Sequence, residues 1–114
     1  MTVRFAKLDG LPERQMLPGV HLRILPGDEV MFSIVRFDPH ATVPTHQHLH
    51  EQLGFVLEGE IDLWIADERR HLTRGDMYTI PSNVPHGAAT QDGTCVAVDV
   101  FHPLRDEYVK LFQG

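Results

Sequence analysis

The chain has 114 residues, 42% hydrophobic and 23% charged, with a net charge of −6. This length suffices for one core, and the composition is that of a globular protein, so we expect residues 1–114 to form a single domain. The negative charge argues against a nucleic-acid-binding face, and no apolar run is longer than that of residues 95–98, which is far shorter than the ~20 residues of a membrane span. One cysteine and no leader-like apolar stretch favour a cytoplasmic protein.

Short runs of β-forming residues, separated by Gly and Pro, recur along the chain and predict an all-β fold. The predicted strands cover residues 20–25, 30–37, 53–57, 61–65, 71–72, 76–80, 85–89 and 94–101. The third and fourth of these flank Glu58-Gly59-Glu60 and are predicted to form a hairpin, and residues 67–70 to form a solvated turn. Only residues 105–112 favour a helix. Eight or nine short strands predict two packed sheets or a closed barrel.

A histidine cluster at residues 46–52 is the first candidate site. His46 and His48 are two residues apart, so a strand would point both side chains the same way, and imidazoles are good ligands for several divalent metals. Strict alternation would add His50 and Gln52, but a strand of that length spans ~20 Å, too far for one ion. The chain must therefore bend, and the spacing leaves open whether His50 or Gln52 turns back to the metal.

A second segment places one more histidine between turn-forming residues. Gly75 precedes a predicted strand, Pro81 ends it, and His86 follows between Pro85 and Gly87. By itself this second segment is weak evidence for a site, and each of the two segments makes the other more convincing.

Together these segments resemble the two motifs of the cupin superfamily. The first motif matches His46, His48, Gln52 and Gly59, and the second matches Gly75, Pro81 and His86. The resemblance implies a double-stranded β-barrel, jelly-roll-like, with a short C-terminal helix, and a homodimer. It implies one divalent ion, Zn, Ni, Mn or Fe, held by His46, His48, Gln52 and His86. Asn83 stands where the second motif usually has glycine; Asn tolerates the left-handed backbone that such a turn requires.

The last predicted strand carries a second candidate group. Asp99 and Phe101 share one face of this strand, and Val98 and Val100 share the other. Alternation alone leaves open which face is interior, so Asp99 is either a site residue or a surface residue, and Arg105 either a ligand-binding or a solvated charge.

The tail pattern around these residues is similar to one cupin group, the pectin-degradation enzymes that open the ring of 4,5-unsaturated uronates. The resemblance implies metal-dependent conversion of uronates from pectin or alginate to linear keto-acids. It implies that Asp99, Phe101 and Arg105 line the site. A positioned carboxylate suits Asp99 to acid–base catalysis, a planar guanidinium suits Arg105 to binding a small anionic substrate by its carboxylate, and Phe101 would form an apolar wall.

Other functions remain open beside this one. Gln52 stands where many cupins have an acidic ligand, and three imidazoles with an amide leave the charge of a divalent ion uncompensated. Such a site favours anionic ligands and Lewis-acid chemistry. The alternatives are another cupin isomerase, decarboxylase or dioxygenase, and a non-catalytic protein that binds a small acid. Trp64 and Tyr78 either line the barrel or pack in the core, and core packing is favoured for both.

Overall fold

The computed structural model describes residues 4–113, and over this range the predicted all-β fold with one short C-terminal helix is confirmed. After a 3₁₀ turn at Leu8–Gly10 come nine strands and helix α1 at Asp106–Leu111. The strands are β1 (Arg14–Leu17), β2 (Val20–Pro26), β3 (Met31–Phe37), β4 (Thr42–His46), β5 (Glu51–Ile65), β6 (Glu68–Thr73), β7 (Met77–Ile80), β8 (His86–Ala89) and β9 (Cys95–His102). No helix among the described residues combines the length and hydropathy needed to cross a membrane.

All strand pairs are antiparallel, and one long strand belongs to both sheets. The first sheet has the order β1-β2-β3-β9-β5-β7, and the second has the order β4-β8-β5-β6. Strand β5 pairs with β9 and β7 in its first half and with β8 and β6 in its second half. The two sheets therefore enclose one space, as the predicted barrel requires.

The core fills the space between the sheets. Alternate residues of β2, β3, β5 and β9 are buried there, since successive side chains of a strand point to opposite faces. On β9 the buried residues are the odd-numbered ones, including Asp99 and Phe101, whereas Val98 and Val100 face outward. The structure thus answers the question that alternation left open: Asp99 lies inside.

The predicted hairpin around Gly59 is wrong, because residues 51–65 form a single strand. A β-bulge interrupts its pairing with β9 between Val56 and Glu58, and Gly59 has φ of 78°. A Cβ at Gly59 would lie 2.0 Å from the Thr94 carbonyl oxygen. The bulge and the glycine bend the strand from one sheet into the other, so the sequence signal of a turn marks a bend instead.

The hairpin turn lies further along, between β5 and β6. It falls at Ala66 and Asp67, with Ala66 at φ 54°, so Arg69 and Arg70, predicted as part of the turn, belong to β6. Strands β1 and β4 were not predicted. Strand β4 reads TVPTH, in which proline and polar residues hide the strand pattern. The other strands and the helix match their predicted ranges within a few residues.

Candidate metal centre and adjoining cavity

Three histidines from separate parts of the chain meet in the space between the sheets. His46 ends β4, His48 lies in the loop after it, and His86 begins β8, which pairs with β4 at His46. One ring nitrogen of each lies within 4.8 Å of the others. The ring centroids of His46 and His86 are 4.3 Å apart, and those of His48 and His86 are 4.8 Å apart. Three of the four predicted ligands therefore form one cluster.

Backbone carbonyls fix the orientation of all three rings. Nδ1 of His46 lies 2.9 Å from the Pro44 oxygen, Nδ1 of His48 lies 3.0 Å from the His50 oxygen, and Nδ1 of His86 lies 2.8 Å from the Val84 oxygen. A carbonyl oxygen only accepts, so each Nδ1 carries the proton and donates it. Each Nε2 then keeps its lone pair, which is the arrangement seen in metal-binding histidines.

Two buried polar atoms without a partner fit a metal at this place. Nε2 of His48 and Oε1 of Gln52 have no hydrogen-bond partner, and Gln52 lines the same cavity as His46 and His86. Unpaired buried polar atoms are costly, so this nitrogen and this oxygen indicate a missing partner that accepts lone pairs. Burial lowers the pKa of His48 to about 4 and also lowers that of His86. Neutral imidazoles are the form that binds metal.

His50 supports the site without joining the histidine cluster. Its Nε2 lies 3.2 Å from the Leu104 carbonyl oxygen, and its own carbonyl oxygen accepts a hydrogen bond from Nδ1 of His48. The chain bends at residues 49 and 50, as the spacing argument requires. His50 therefore ties the histidine loop to the segment that precedes Arg105.

A second buried group adjoins the metal centre. Asp99 is 5% exposed, and its Oδ1 accepts a hydrogen bond of 2.6 Å from the Tyr78 hydroxyl. The two side chains meet across Gly54, where a Cβ would lie 2.1 Å from Asp99 Oδ1 and 2.6 Å from the tyrosine hydroxyl. The missing side chain at position 54 is what allows Tyr78 to reach the carboxylate.

Burial raises the pKa of Asp99 to about 6, against the opposing effects of hydrogen bonds from Tyr78 and Gln52 and of the Arg105 charge. Burial also raises the pKa of Tyr78 well above its ordinary value, so the hydroxyl remains a donor. A carboxyl group with a pKa near neutrality both accepts and returns a proton readily.

The residues after β9 place a cation over two aromatic rings. Arg105 is 6% exposed, and its guanidinium carbon lies 5.0 Å from the Phe101 ring centroid and 4.0 Å from that of Tyr108. Nη1 donates to the Tyr108 hydroxyl at 2.9 Å, and Nε donates to Glu107 at 3.0 Å. The backbone N–H of Arg105 lies 3.3 Å from the Met31 sulfur. The cation is therefore held firmly at the cavity wall.

A cavity of about 70 Å³ joins these groups. Its polar lining includes His46, Gln52, His86, Asp99 and Arg105, and Phe101 also lines it. The rest of the lining is mostly apolar and includes Val35, Phe37, Ile61 and Leu63. The structure thus brings the residues predicted as site residues together around one space, with His48 joined to it through the histidine cluster.

The prediction of core packing is incomplete for Tyr78 and wrong for Trp64. Tyr78 packs against the core but also bonds Asp99. Trp64 lies on the outer side of β5, where its indole N–H donates to Thr45 at 2.8 Å and its ring covers Gly87, at which a Cβ would lie 2.5 Å away. Thr45 and Gly87 are next to His46 and His86 in the chain, so Trp64 supports the histidine segments from outside. Glycine at 54, in the middle of a strand, is a sequence signal of a close approach at that position, but it does not identify Tyr78 as the neighbour.

Comparison with known proteins agrees with this geometry. A family model described as Cupin domain matches residues 33–101. The chain belongs to the cupin family. This cupin is 29% identical to the pectin degradation protein KdgF of Dickeya dadantii over 89% of the chain and 94% of that protein. It is 39% identical over 74 residues to the H2HPP isomerase of Bacillus subtilis, covering 63% of the chain but 30% of the isomerase.

Among solved structures, KdgF from Halomonas sp. superposes on this cupin with a TM-score of 0.86 at 29% identity, covering 94% of the chain and 99% of that structure. The near-complete coverage of both chains confirms the predicted resemblance to the pectin-degradation group. These relatives place the protein among cupin enzymes.

Proposed function

We propose that this cupin opens the ring of 4,5-unsaturated uronates, with a divalent metal ion, to give linear keto-acids. The observation that carries the proposal is the buried carboxyl of Asp99 in the same cavity as the histidine cluster and the Arg105 cation. Similarity to KdgF over nearly the whole chain supports the same reaction class.

The reaction needs one group that takes and returns a proton. In the substrate, C4 and C5 are joined by a double bond and C5 carries the ring oxygen. Asp99 takes the proton of the anomeric hydroxyl, the bond between C1 and the ring oxygen breaks, and C1 becomes an aldehyde. The ring oxygen becomes the C5 ketone oxygen, and the electron pair of the double bond takes a proton at C4 from Asp99. Substrate and product are isomers, so one carboxylate completes the cycle.

Other residues of the cavity would bind and orient the substrate. Arg105 would bind the substrate carboxylate, since a guanidinium offers paired N–H donors to a planar anion. Phe101, fully buried against the guanidinium, would form the wall beside the sugar ring. Tyr78 would hold the reacting carboxylate in one orientation through its hydrogen bond to Oδ1.

The metal would be held by His46, His48, His86 and Gln52. The free Nε2 atoms and the unpaired Oε1 of Gln52 support this set. When bound, a divalent ion supplies a Lewis acid that stabilises negative charge on substrate oxygens. The lack of a carboxylate ligand leaves the positive charge of the ion available to an anionic substrate.

The test uses freshly generated 4,5-unsaturated galacturonate and follows the loss of ultraviolet absorbance as the double bond disappears. Wild-type protein should accelerate this loss above the spontaneous rate. Asp99→Asn should lower kcat by at least about 100-fold, the size expected for an acid–base residue, and keep its affinity for the stable acid galacturonate. No acceleration by the wild type would remove the proposed reaction. Equal rates for the variant would remove Asp99 as its acid–base residue.

A second candidate reaction is isomerisation of a less polar unsaturated acid. The largely apolar wall formed by Val35, Phe37, Ile61 and Leu63 favours it, as does the similarity to an isomerase. In deuterated buffer such a reaction would add deuterium at carbon without producing an aldehyde, whereas ring opening produces both changes. Proton NMR of the products distinguishes the two.

We also propose that the protein is a homodimer that pairs through the outer face of its first sheet. Strand register places two rows of apolar side chains there: Leu25, Phe32, Val100 and Leu53, and then Ile34, Val98, Phe55 and Met77. Phe32, Leu53 and Met77 are 48%, 47% and 80% exposed. The second row begins at Arg23, the register partner of Ile34, and this arginine is paired with Glu13. The other residues of both rows are uncharged, so a second copy is a suitable occupant despite the net charge of −6, because two such faces meet with little like-charge repulsion.

A further inference from the structure

The ion pair between Arg105 and Glu107 joins a buried cation to an exposed carboxylate. The arginine side chain is 8% exposed, whereas that of Glu107 is 61% exposed. Nε and Nη2 of Arg105 both donate to Oε1 of Glu107, and Nη1 donates to Tyr108. Three of the five guanidinium N–H groups are therefore occupied within the chain. A carboxylate from the protein already holds one edge of the group proposed to bind the substrate carboxylate.

This ion pair lies at the boundary between two spaces. Arg105 lines the inner cavity with the histidines and Asp99, and Glu107 does not. Glu107 lines an outer cleft of about 510 Å³, whose walls also include Leu49, His50 and Asp106, and Arg105 does not. A carboxylate that approaches Arg105 from the cleft side therefore meets the Glu107 carboxylate at the guanidinium.

We propose that Glu107 is a displaceable carboxylate that competes with carboxylate ligands for Arg105 and so determines the affinity and selectivity of the cavity. The inference rests on the carboxylate-binding role of Arg105 in the proposed function and adds a residue that this function does not use.

The two partners differ in what holds them in place. Arg105 is kept in position by the rings of Phe101 and Tyr108 and by the contact of its backbone N–H with Met31. Glu107 is held by Arg105 and is otherwise largely exposed, so its carboxylate remains hydrated when it leaves the guanidinium. The cation therefore remains in place when the acid leaves.

Competition by Glu107 provides selectivity by charge. An incoming carboxylate replaces one set of charge-assisted hydrogen bonds to the guanidinium with another. A neutral sugar has no comparable acceptor and would leave the ion pair unexchanged. Neutral ligands are therefore excluded, and the affinity for acids is lower than an unpaired arginine would give.

The opposite role is that Glu107 braces Arg105 for binding. The two roles predict opposite effects of Glu107→Gln, which keeps the size of the side chain and removes its charge. Release of a competitor makes a carboxylate ligand bind more tightly, whereas loss of a brace makes it bind more weakly.

The experiment is isothermal titration calorimetry of the full-length protein with D-galacturonate, a saturated acid that the proposed reaction does not consume. Asp106→Asn is the matched control, because Asp106 lines the same cleft, the charge change is equal, and no described hydrogen bond or ion pair joins it to Arg105. We expect Glu107→Gln to bind about tenfold more tightly than wild type, and Asp106→Asn to stay within about twofold. Glu107→Ala is a second variant without the competing carboxylate, and we expect it also to bind galacturonate more tightly than wild type. Its thermal unfolding should be unchanged, which checks that it is folded.

Equal affinities for the Glu107→Gln and Asp106→Asn variants, or weaker binding by the former, would overturn the competition. Absence of galacturonate binding in every variant would overturn it as well. Linearisation of the unsaturated uronate is measured in parallel. Tighter galacturonate binding by Glu107→Gln without linearisation would support competition by Glu107 and contradict the proposed reaction. Linearisation without tighter binding would support the proposed reaction and contradict the competition.

Discussion

Asp99 is a carboxyl group whose surroundings disfavour its charge. It is fully enclosed between the sheets, and burial raises its pKa to about 6 although Tyr78 and Gln52 donate to it and Arg105 is near. A residue that served stability alone would not be placed at this cost. The position is better explained by a requirement to exchange protons with a ligand in the cavity.

This cost predicts that removal of the charge stabilises the metal-free protein. The pKa of Asp99 is raised from an ordinary 3.8 to about 6, so the folded state binds the proton more tightly than the unfolded state. The resulting stabilisation is full below pH 3.8 and is lost as the pH rises through 6. At pH 7.5, Asp99→Asn should therefore increase the free energy of unfolding relative to wild type, by up to about 3 kcal/mol.

Denaturant unfolding of both proteins at pH 7.5 and pH 4 measures this effect. The advantage of the variant should shrink at pH 4, where wild-type Asp99 is largely protonated. A less stable variant at pH 7.5 would contradict the assigned cost.

Tyr78→Phe tests whether the hydroxyl positions Asp99. Without its hydrogen bond of 2.6 Å the carboxylate has more orientations, so kcat for the unsaturated uronate should fall about tenfold while KM stays within about twofold. Steady-state kinetics measure kcat and KM separately, and thermal unfolding checks that the variant is folded. An unchanged kcat would show that the tyrosine has only a packing role.

The sequence allowed much of this site to be predicted at the residue scale. The spacing of His46 and His48 and the position of His86 between turn residues identified a cluster that the structure brings together. The contact of Tyr78 with Asp99 depends on β7 and β9 lying on either side of β5, which no local pattern specifies. The orientation of Asp99 likewise depended on which face of β9 the fold covers.

At the scale of elements, strand β5 determines how the two sheets meet. Its first half places Gln52 and Gly54 beside Asp99, and its second half pairs with β8, which carries His86. The sequence predicted two strands here because Glu58-Gly59-Glu60 has the composition of a turn. Local composition marks a change of direction but does not distinguish a reversal from a bend, since the difference lies in the pairing with distant β9.

Gly59→Ala should therefore destabilise the protein, by about 2 kcal/mol or more. The backbone is in the left-handed region at φ 78°, and the added Cβ would meet the Thr94 carbonyl oxygen at 2.0 Å. Gly93→Ala is the matched control, because a Cβ added there would have no atom within 4 Å apart from its chain neighbours, and its φ is not in that region. Denaturant unfolding compares the variants, and equal stabilities would show that the bend does not require glycine.

At the scale of the whole molecule, the fold was more predictable than its connections. Gly and Pro at regular intervals, short alternating runs and one C-terminal amphipathic segment predict an all-β fold of two packed sheets or a closed barrel. The order of strands within the sheets rests on long-range pairs that composition does not specify, and the cupin resemblance supplied only the barrel architecture.

The proposed dimer, a property of the whole molecule, is tested by a charge placed on the outer face of the first sheet. Phe32→Lys places a charge in the apolar face and should convert a particle of twice the chain mass into one of the chain mass. Phe5→Lys is the control, because Phe5 is 91% exposed and precedes the strands of that face. Light scattering after size-exclusion chromatography measures both. A dimer that persists in the Phe32 variant, or a monomeric wild type, would contradict pairing through this face.

The central claim is that one divalent metal in the histidine cluster is required for ring opening of an unsaturated uronate. The most direct measurement is the rate of absorbance loss with one protein sample before chelation, after removal of the chelated metal, and after addition of a divalent ion, with metal content determined at each stage. The account predicts about one metal per chain before chelation. The acceleration should disappear when the metal is removed and return when a divalent ion is added. Acceleration that persists in metal-free protein would contradict the claim.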